Sequence, residues 1–126
     1  MEAVAIMTAA KTILVIDDEP GYRDMLKFQL TDEGHTVLTA ASGPEALKVL
    51  QDNGKADMVI TDMKMSPMDG LETLIAIRNV YPKMPVILMT GYALEERVQE
   101  ALSRKASTCL RKPFHLDELN LAMQAI

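Results

Sequence analysis

The sequence predicts an α/β fold: one five-stranded parallel sheet, doubly wound, with helices on both faces. Three observations carry this. Short apolar runs alternate five times with longer amphipathic stretches, in the order β-α throughout, and alternation of that kind implies parallel strands joined by right-handed helical crossovers. Runs such as Ile13-Leu14-Val15-Ile16 are continuous rather than alternating, as in a strand covered on both faces. Every run except the second ends in a polar group, and strand carboxyl ends are where open α/β sheets bind ligands.

Residues 1–10 read as a flexible tail and 11–126 as one folded domain. Met7 to Lys11 is itself a plausible start, which would make the residues before it an extension without function. After the Ile13–Ile16 strand, Pro20 suits the first turn of a helix. Tyr22, Met25, Leu26 and Leu30 then recur at helical spacing, and Gly34 supplies the stop. Thr36–Ala40 is the second strand. Ser42, with Glu45 three residues on, can cap the next helix, whose apolar stripe is Ala46, Leu47, Val49 and Leu50 and whose end is Gly54. Met58–Thr61 is the third strand and leads into a turn-rich loop at Asp62. Leu71, Leu74, Ile75 and Ile77 mark a helix that stops at Tyr81-Pro82. Pro85–Met89 is the fourth strand, ending in Thr90-Gly91. A more polar helix around Leu94–Ser103, a short strand Thr108–Leu110 and a last helix carrying Leu116, Leu119, Leu121 and Met123 complete the chain.

The 126 residues suffice for one sizeable core, and 48% apolar with 25% charged residues is ordinary for a globular domain. A net charge of −5 argues against a surface built to coat nucleic acid or an anionic membrane. The single cysteine, Cys109, excludes an internal disulfide and a multi-cysteine metal site. No apolar run approaches a membrane span, and the N-terminus has an acid where a signal peptide would carry basic residues. The expected location is the cytoplasm. The ten methionines read as adaptable core filler. His35 and His115 flank helix ends and are expected to face solvent, with no metal or catalytic role.

The chemistry-bearing residues are Asp17, Asp18 and Asp62, with Thr90 and Lys112. If the first and third strands are neighbours, the three carboxylates converge on one point. Like charges that close raise one another's pKa, so the cluster calls for a cation, and oxygen ligands at a wet sheet edge suit Mg²⁺. A carboxylate can act as a nucleophile towards phosphorus and form an acyl phosphate. Phosphoryl transfer asks the protein for positioning and for positive charge on the equatorial oxygens. Mg²⁺ and Lys112 would supply that charge, and Thr90 a directed hydrogen bond. Glu19 reads as a helix N-terminal acid rather than a further ligand.

Four stretches carry a family resemblance: Val15-Ile16-Asp17-Asp18-Glu19-Pro20, Thr61-Asp62-Met63-Lys64-Met65 with Met68-Asp69-Gly70, Leu88-Met89-Thr90-Gly91-Tyr92, and Leu110-Arg111-Lys112-Pro113-Phe114. In this order and spacing the chain resembles a receiver domain of the two-component response regulators, of the chemotaxis-Y kind, from about Lys11 to its end. The resemblance implies a flavodoxin-like (βα)5 order, with Asp62 as the acceptor of a phosphoryl group from a histidine kinase or phosphotransfer protein. Asp18 matches the carboxylate that binds Mg²⁺ directly, and Asp17 the one that acts through a metal-bound water. Asp62 and the backbone carbonyl of Lys64 complete the protein ligands. Lys112 matches the lysine that pairs with the phosphoryl group, Pro113 the proline that often follows in cis, and Thr90 the hydroxyl that moves towards the phosphoryl group. Gly91 is small where a side chain would block that approach. The implied partner downstream is a separate protein or a C-terminal output domain, without direct nucleic-acid or membrane binding by the domain itself and with phosphorylation-dependent homodimerisation as an option.

The chain departs from the family pattern in places. Cys109 stands where most receivers carry a Tyr or Phe that rotates inward, so the expected readout at the last strand is altered or weakened. Ser66-Pro67 sets the acceptor-loop proline one place late, and Lys105 replaces a common glycine. Lys64 and Tyr92 border the path of the hydrolytic water, and a bulky Tyr92 is expected to lengthen the life of the acyl phosphate. Two other functions are compatible with an acidic cluster: a Mg²⁺-dependent phosphatase of the haloacid dehalogenase type, and an unphosphorylated pseudo-receiver. The first wants Asp-x-Asp after its first strand, which Asp17-Asp18-Glu19-Pro20 lacks; the second predicts a lost site residue, and none is lost. Either a stand-alone regulator or the excised receiver of a longer one fits, and the short last helix favours excision.

Overall fold

The computed structural model describes residues 9–91, 96–103 and 108–126. The ten elements are β1 (Thr12–Ile16), α1 (Pro20–Asp32), β2 (Thr36–Ala40), α2 (Gly43–Asn53), β3 (Met58–Asp62), α3 (Gly70–Val80), β4 (Val86–Thr90), α4 (Glu96–Ser103), β5 (Thr108–Arg111) and α5 (Leu116–Gln124). The five strands form one sheet in the order β2-β1-β3-β4-β5, and every neighbouring pair is parallel. The chain leaves β1 towards β2 on one side and returns to β3 on the other. Between the carboxyl ends of β1 and β3 therefore lies the topological switch point, the crevice where such sheets place ligands.

Alternation along the strands divides the core in two. Leu14 and Ile16 of β1 pack with Ala46 and Leu50 of α2, Leu71, Leu74 and Ile77 of α3, and Ala101 of α4. Ile13 and Val15 face the other way, onto Leu26 and Leu30 of α1 and Leu119 and Met123 of α5. Burial on both faces is why these strands read as unbroken apolar runs.

Local signals set the helix limits. Pro20 opens α1, and Gly34, at φ 96°, takes the chain out of it. Ser42 Oγ accepts the Glu45 N–H at 3.2 Å to start α2, and Gly54 ends it in the left-handed region at φ 70°. Helix α3 begins with a reciprocal cap: Asp69 Oδ1 accepts the Glu72 N–H at 2.9 Å, and Glu72 Oε1 accepts the Asp69 N–H at 3.0 Å.

Several expectations are corrected. His35 is buried, not solvent-facing, because its Nδ1 accepts the Lys11 N–H at 3.0 Å and so ties the approach to β1 to the end of α1. Met25 and Leu121, expected in apolar stripes, are 39% and 67% exposed; each lies on the outer side of a helix whose inner residues already fill the core. Met58, Met63, Met65, Met84, Met89 and Met123 are buried, in keeping with their reading as core filler. Strand β3 runs one residue further than expected, to Asp62, and β5 to Arg111. His115 is exposed as expected. The expectations for Tyr92, Lys105, the start of the Leu94–Ser103 helix and the tail before residue 9 lie outside the described residues.

Candidate functional site

Asp17 is the first residue beyond β1, and its main chain continues the sheet by donating its N–H to the Ala40 carbonyl at 3.1 Å. Its side chain is fully buried. Both carboxylate oxygens are engaged: Oδ1 accepts the Glu19 N–H at 2.9 Å, and Oδ2 accepts from Lys112 Nζ at 2.9 Å. The Arg23 guanidinium donates to the Asp17 carbonyl at 2.8 Å and so ties the first turn of α1 to the same point. Asp18, next in the chain, is exposed.

Asp62 ends β3 one strand away. Its Oδ1 lies 3.3 Å from Lys112 Nζ, so one ammonium bridges two carboxylates. One oxygen from each of Asp17, Asp18 and Asp62 falls in a group whose members are all within 4.8 Å of one another. Burial, and then the negative charge of Asp17, push the Asp62 carboxyl up to about 6 against the opposing pull of Lys112. Burial alone would lower Lys112, but the hydrogen bond to Asp17 and the charge of Asp62 outweigh it and raise the ammonium above its ordinary value. The site is thus short of positive charge although a lysine is already inside it.

The loop after Asp62 is held by close packing at Gly70. Its N–H donates to the Met63 carbonyl at 2.7 Å. A Cβ there would stand 2.7 Å from both the Asp62 carbonyl oxygen and Met63 Cα. Only glycine lets the N-terminus of α3 come this near the loop after Asp62. Lys64 is exposed on that loop.

Thr90 closes β4, buried, one residue past the Met89 that pairs with Asp62. Its carbonyl accepts the Lys112 N–H at 2.7 Å, which couples the strand end bearing the hydroxyl to the segment bearing the ammonium. The Lys112–Pro113 peptide is cis, as the resemblance implied, and so is Ser66–Pro67. A Cβ at Gly91 would meet no atom of the described residues within 4 Å.

Asp17, Asp18, Asp62 and Lys112 thus come together as the sequence suggested, with Thr90 on the adjoining strand. Sequence reasoning missed Tyr22, which it placed in a helix stripe. The Tyr22 ring lies over Lys112, with Nζ 4.2 Å from its centroid, and meets Phe114 edge-on at 6.0 Å. The available signal was its place in the first turn of the helix that follows Asp17-Asp18.

The sequence matches the family of response regulator receiver domains over residues 13–124. The chain belongs to that family. Receiver domains are the signalling switches of two-component response regulators. Transcriptional regulatory protein GlrR of Escherichia coli is 39% identical over 111 residues, which cover 88% of this chain but 25% of that protein. The chain therefore spans about a quarter of the length of that curated relative. Sporulation initiation phosphotransferase F of Bacillus subtilis is 35% identical and is matched over 90% of its length and 89% of this chain. Among solved structures, response regulator protein TrrA from Thermotoga maritima, in complex with Mg²⁺ and BeF, superposes with a TM-score of 0.77 at 37% identity, over 90% of this chain and 96% of that one. No helix among the described residues is long and apolar enough to cross a membrane.

Proposed function

We propose that residues 11–126 form a phosphorylation-driven switch whose phosphoacceptor is Asp62. The observation that carries this reading is the placement of Asp62 at the switch point, bridged by Lys112 to buried Asp17 and grouped with Asp17 and Asp18. The carboxylate of Asp62 attacks the phosphorus of a phosphohistidine on a histidine kinase or phosphotransfer protein. The new P–O bond forms as the P–N bond breaks, and the imidazole leaves with the bonding pair and takes up a proton from solvent. Lys112 follows the charge from the carboxylate to the transferred oxygens. Thr90, buried one position beyond the strand pairing of Asp62, supplies a hydroxyl to one of those oxygens.

The donor set suits Mg²⁺: all three carboxylates offer oxygen, and Asp18 is open to water, which this ion keeps among its ligands. Asp18, Asp62 and the Lys64 carbonyl would hold the ion directly. Asp17, with both oxygens already engaged, fits a role through a bound water. Bound there, the ion would neutralise charge on the acceptor and on the phosphoryl oxygens.

The phosphorylated state adds about −2 charge at one strand end and biases the elements around it. A partner protein or an attached output domain in the cytoplasm reads the change. Incubation with Mg²⁺ and acetyl phosphate tests the reading against its rivals. One phosphoryl group per chain is expected. Multiple turnover of added phosphoesters would favour a phosphatase, and an unlabelled chain a pseudo-receiver.

A further inference from the structure

Among the described residues, the Lys112 ammonium meets the two carboxylates and the ring of Tyr22. We propose that Tyr22 is the positioning residue for the Lys112 ammonium and acts through the face of its ring, not through its hydroxyl. The inference rests on the reading of Lys112 as the group that pairs with the phosphoryl oxygens.

The ammonium nitrogen stands 4.2 Å from the ring centroid, well inside the range over which the negative face of an aromatic ring attracts a cation. The ring is itself held. Phe114 meets it at 6.0 Å with planes inclined by 79°, and Phe114 lies two residues after Lys112. From the other side, the Glu19 N–H and the Arg23 guanidinium fasten the first turn of α1 to Asp17. The turn that bears Tyr22 is thus anchored to the same carboxylate that Lys112 contacts. The hydroxyl is buried and has no hydrogen-bond partner among the described residues. The contacts that the described residues make with Tyr22 are to its ring. Lys112 keeps 18% of its side chain exposed, and the ring adds a restraint on its flexible stem beside the two carboxylates.

Two measurements test this separately. A ring face above the ammonium moves the Lys112 Hε protons upfield in the NMR spectrum of the unphosphorylated protein. Tyr22→Leu should abolish that displacement, and Tyr22→Phe should keep it. Phosphorylation by acetyl phosphate at saturating Mg²⁺ should slow roughly three- to tenfold in Tyr22→Leu and be restored in Tyr22→Phe. Phenylalanines of rising fluorine content at position 22 preserve shape while draining charge from the ring face, so they serve even where the leucine variant does not fold. The rate should decline along that series. Lys112 protons without an upfield displacement in the wild type, or a flat rate across the fluorinated series, overturns the proposal. A Tyr22→Phe variant as slow as Tyr22→Leu transfers the role to the hydroxyl and also overturns it. Wild-type protein that takes no phosphoryl group refutes the proposed function instead, and the proton displacement still judges Tyr22.

Discussion

The fold disfavours the ionised form of Asp62. Its carboxyl titrates at about 6, chiefly through burial and then through Asp17. The folded chain therefore binds that proton more tightly than the unfolded chain does. The resulting stability is fully present below the ordinary carboxyl range and is lost as pH rises through about 6. In Mg²⁺-free buffer, Asp62→Asn should raise stability at pH 7 by about 1–2 kcal/mol once solvent screening is allowed for. The gain should vanish near pH 4, and thermal melts at the two pH values check it. An equal gain at both pH values would mean that the charge on Asp62 is not its cause. Asp17, Asp18, Asp62, Thr90 and Lys112 were legible in the sequence because each sits at or just beyond a strand's carboxyl end. Tyr22 was not, because helical spacing cannot tell a residue that fills the core from one that reaches sideways over a neighbour's ammonium.

At the scale of elements, strand and helix existence was legible and their tertiary company was not. Continuous apolar runs and cap residues such as Ser42 and Gly54 act locally, so the sequence displays them. His35 is buried with its Nδ1 bonded to the Lys11 N–H, a partner 24 residues away that no local pattern announces. Met25 and Leu121 match the helical period yet face outward, since the period marks a stripe without marking its width. Gly70 belongs to the same class. It appeared as part of a motif, and only the packing shows that a methyl group would collide with the Asp62 carbonyl. Gly70→Ala should cost about 1–3 kcal/mol in a urea melt and slow phosphorylation by shifting the acceptor loop. Unchanged stability would show that α3 can withdraw at no cost.

For the whole molecule, the strand order β2-β1-β3-β4-β5 brings residues 17, 62 and 112 to one end of the sheet. The alternation of strands and helices predicted a parallel sheet, and family membership accounts for its order. Cys109 bears on how a change at the site would be transmitted. Cys109 is half-buried, has its thiol pushed up by burial, and packs on the core face that includes Leu88 and Ala101. It offers no ring to swing should Thr90 move on phosphorylation, as the proposed function expects. Crystal structures of the free and beryllofluoride-bound protein should differ at Thr90 and the loop after it, with little change around residue 109; a large rearrangement there would contradict this. Transfer of the phosphoryl group to Asp62 is what the proposed function requires. It is tested most directly by borohydride reduction of the acetyl-phosphate-treated protein, followed by peptide mass spectrometry. Homoserine in place of aspartate at position 62, dependent on Mg²⁺, is the predicted result. Reduction at another carboxylate, or at none, would contradict the account.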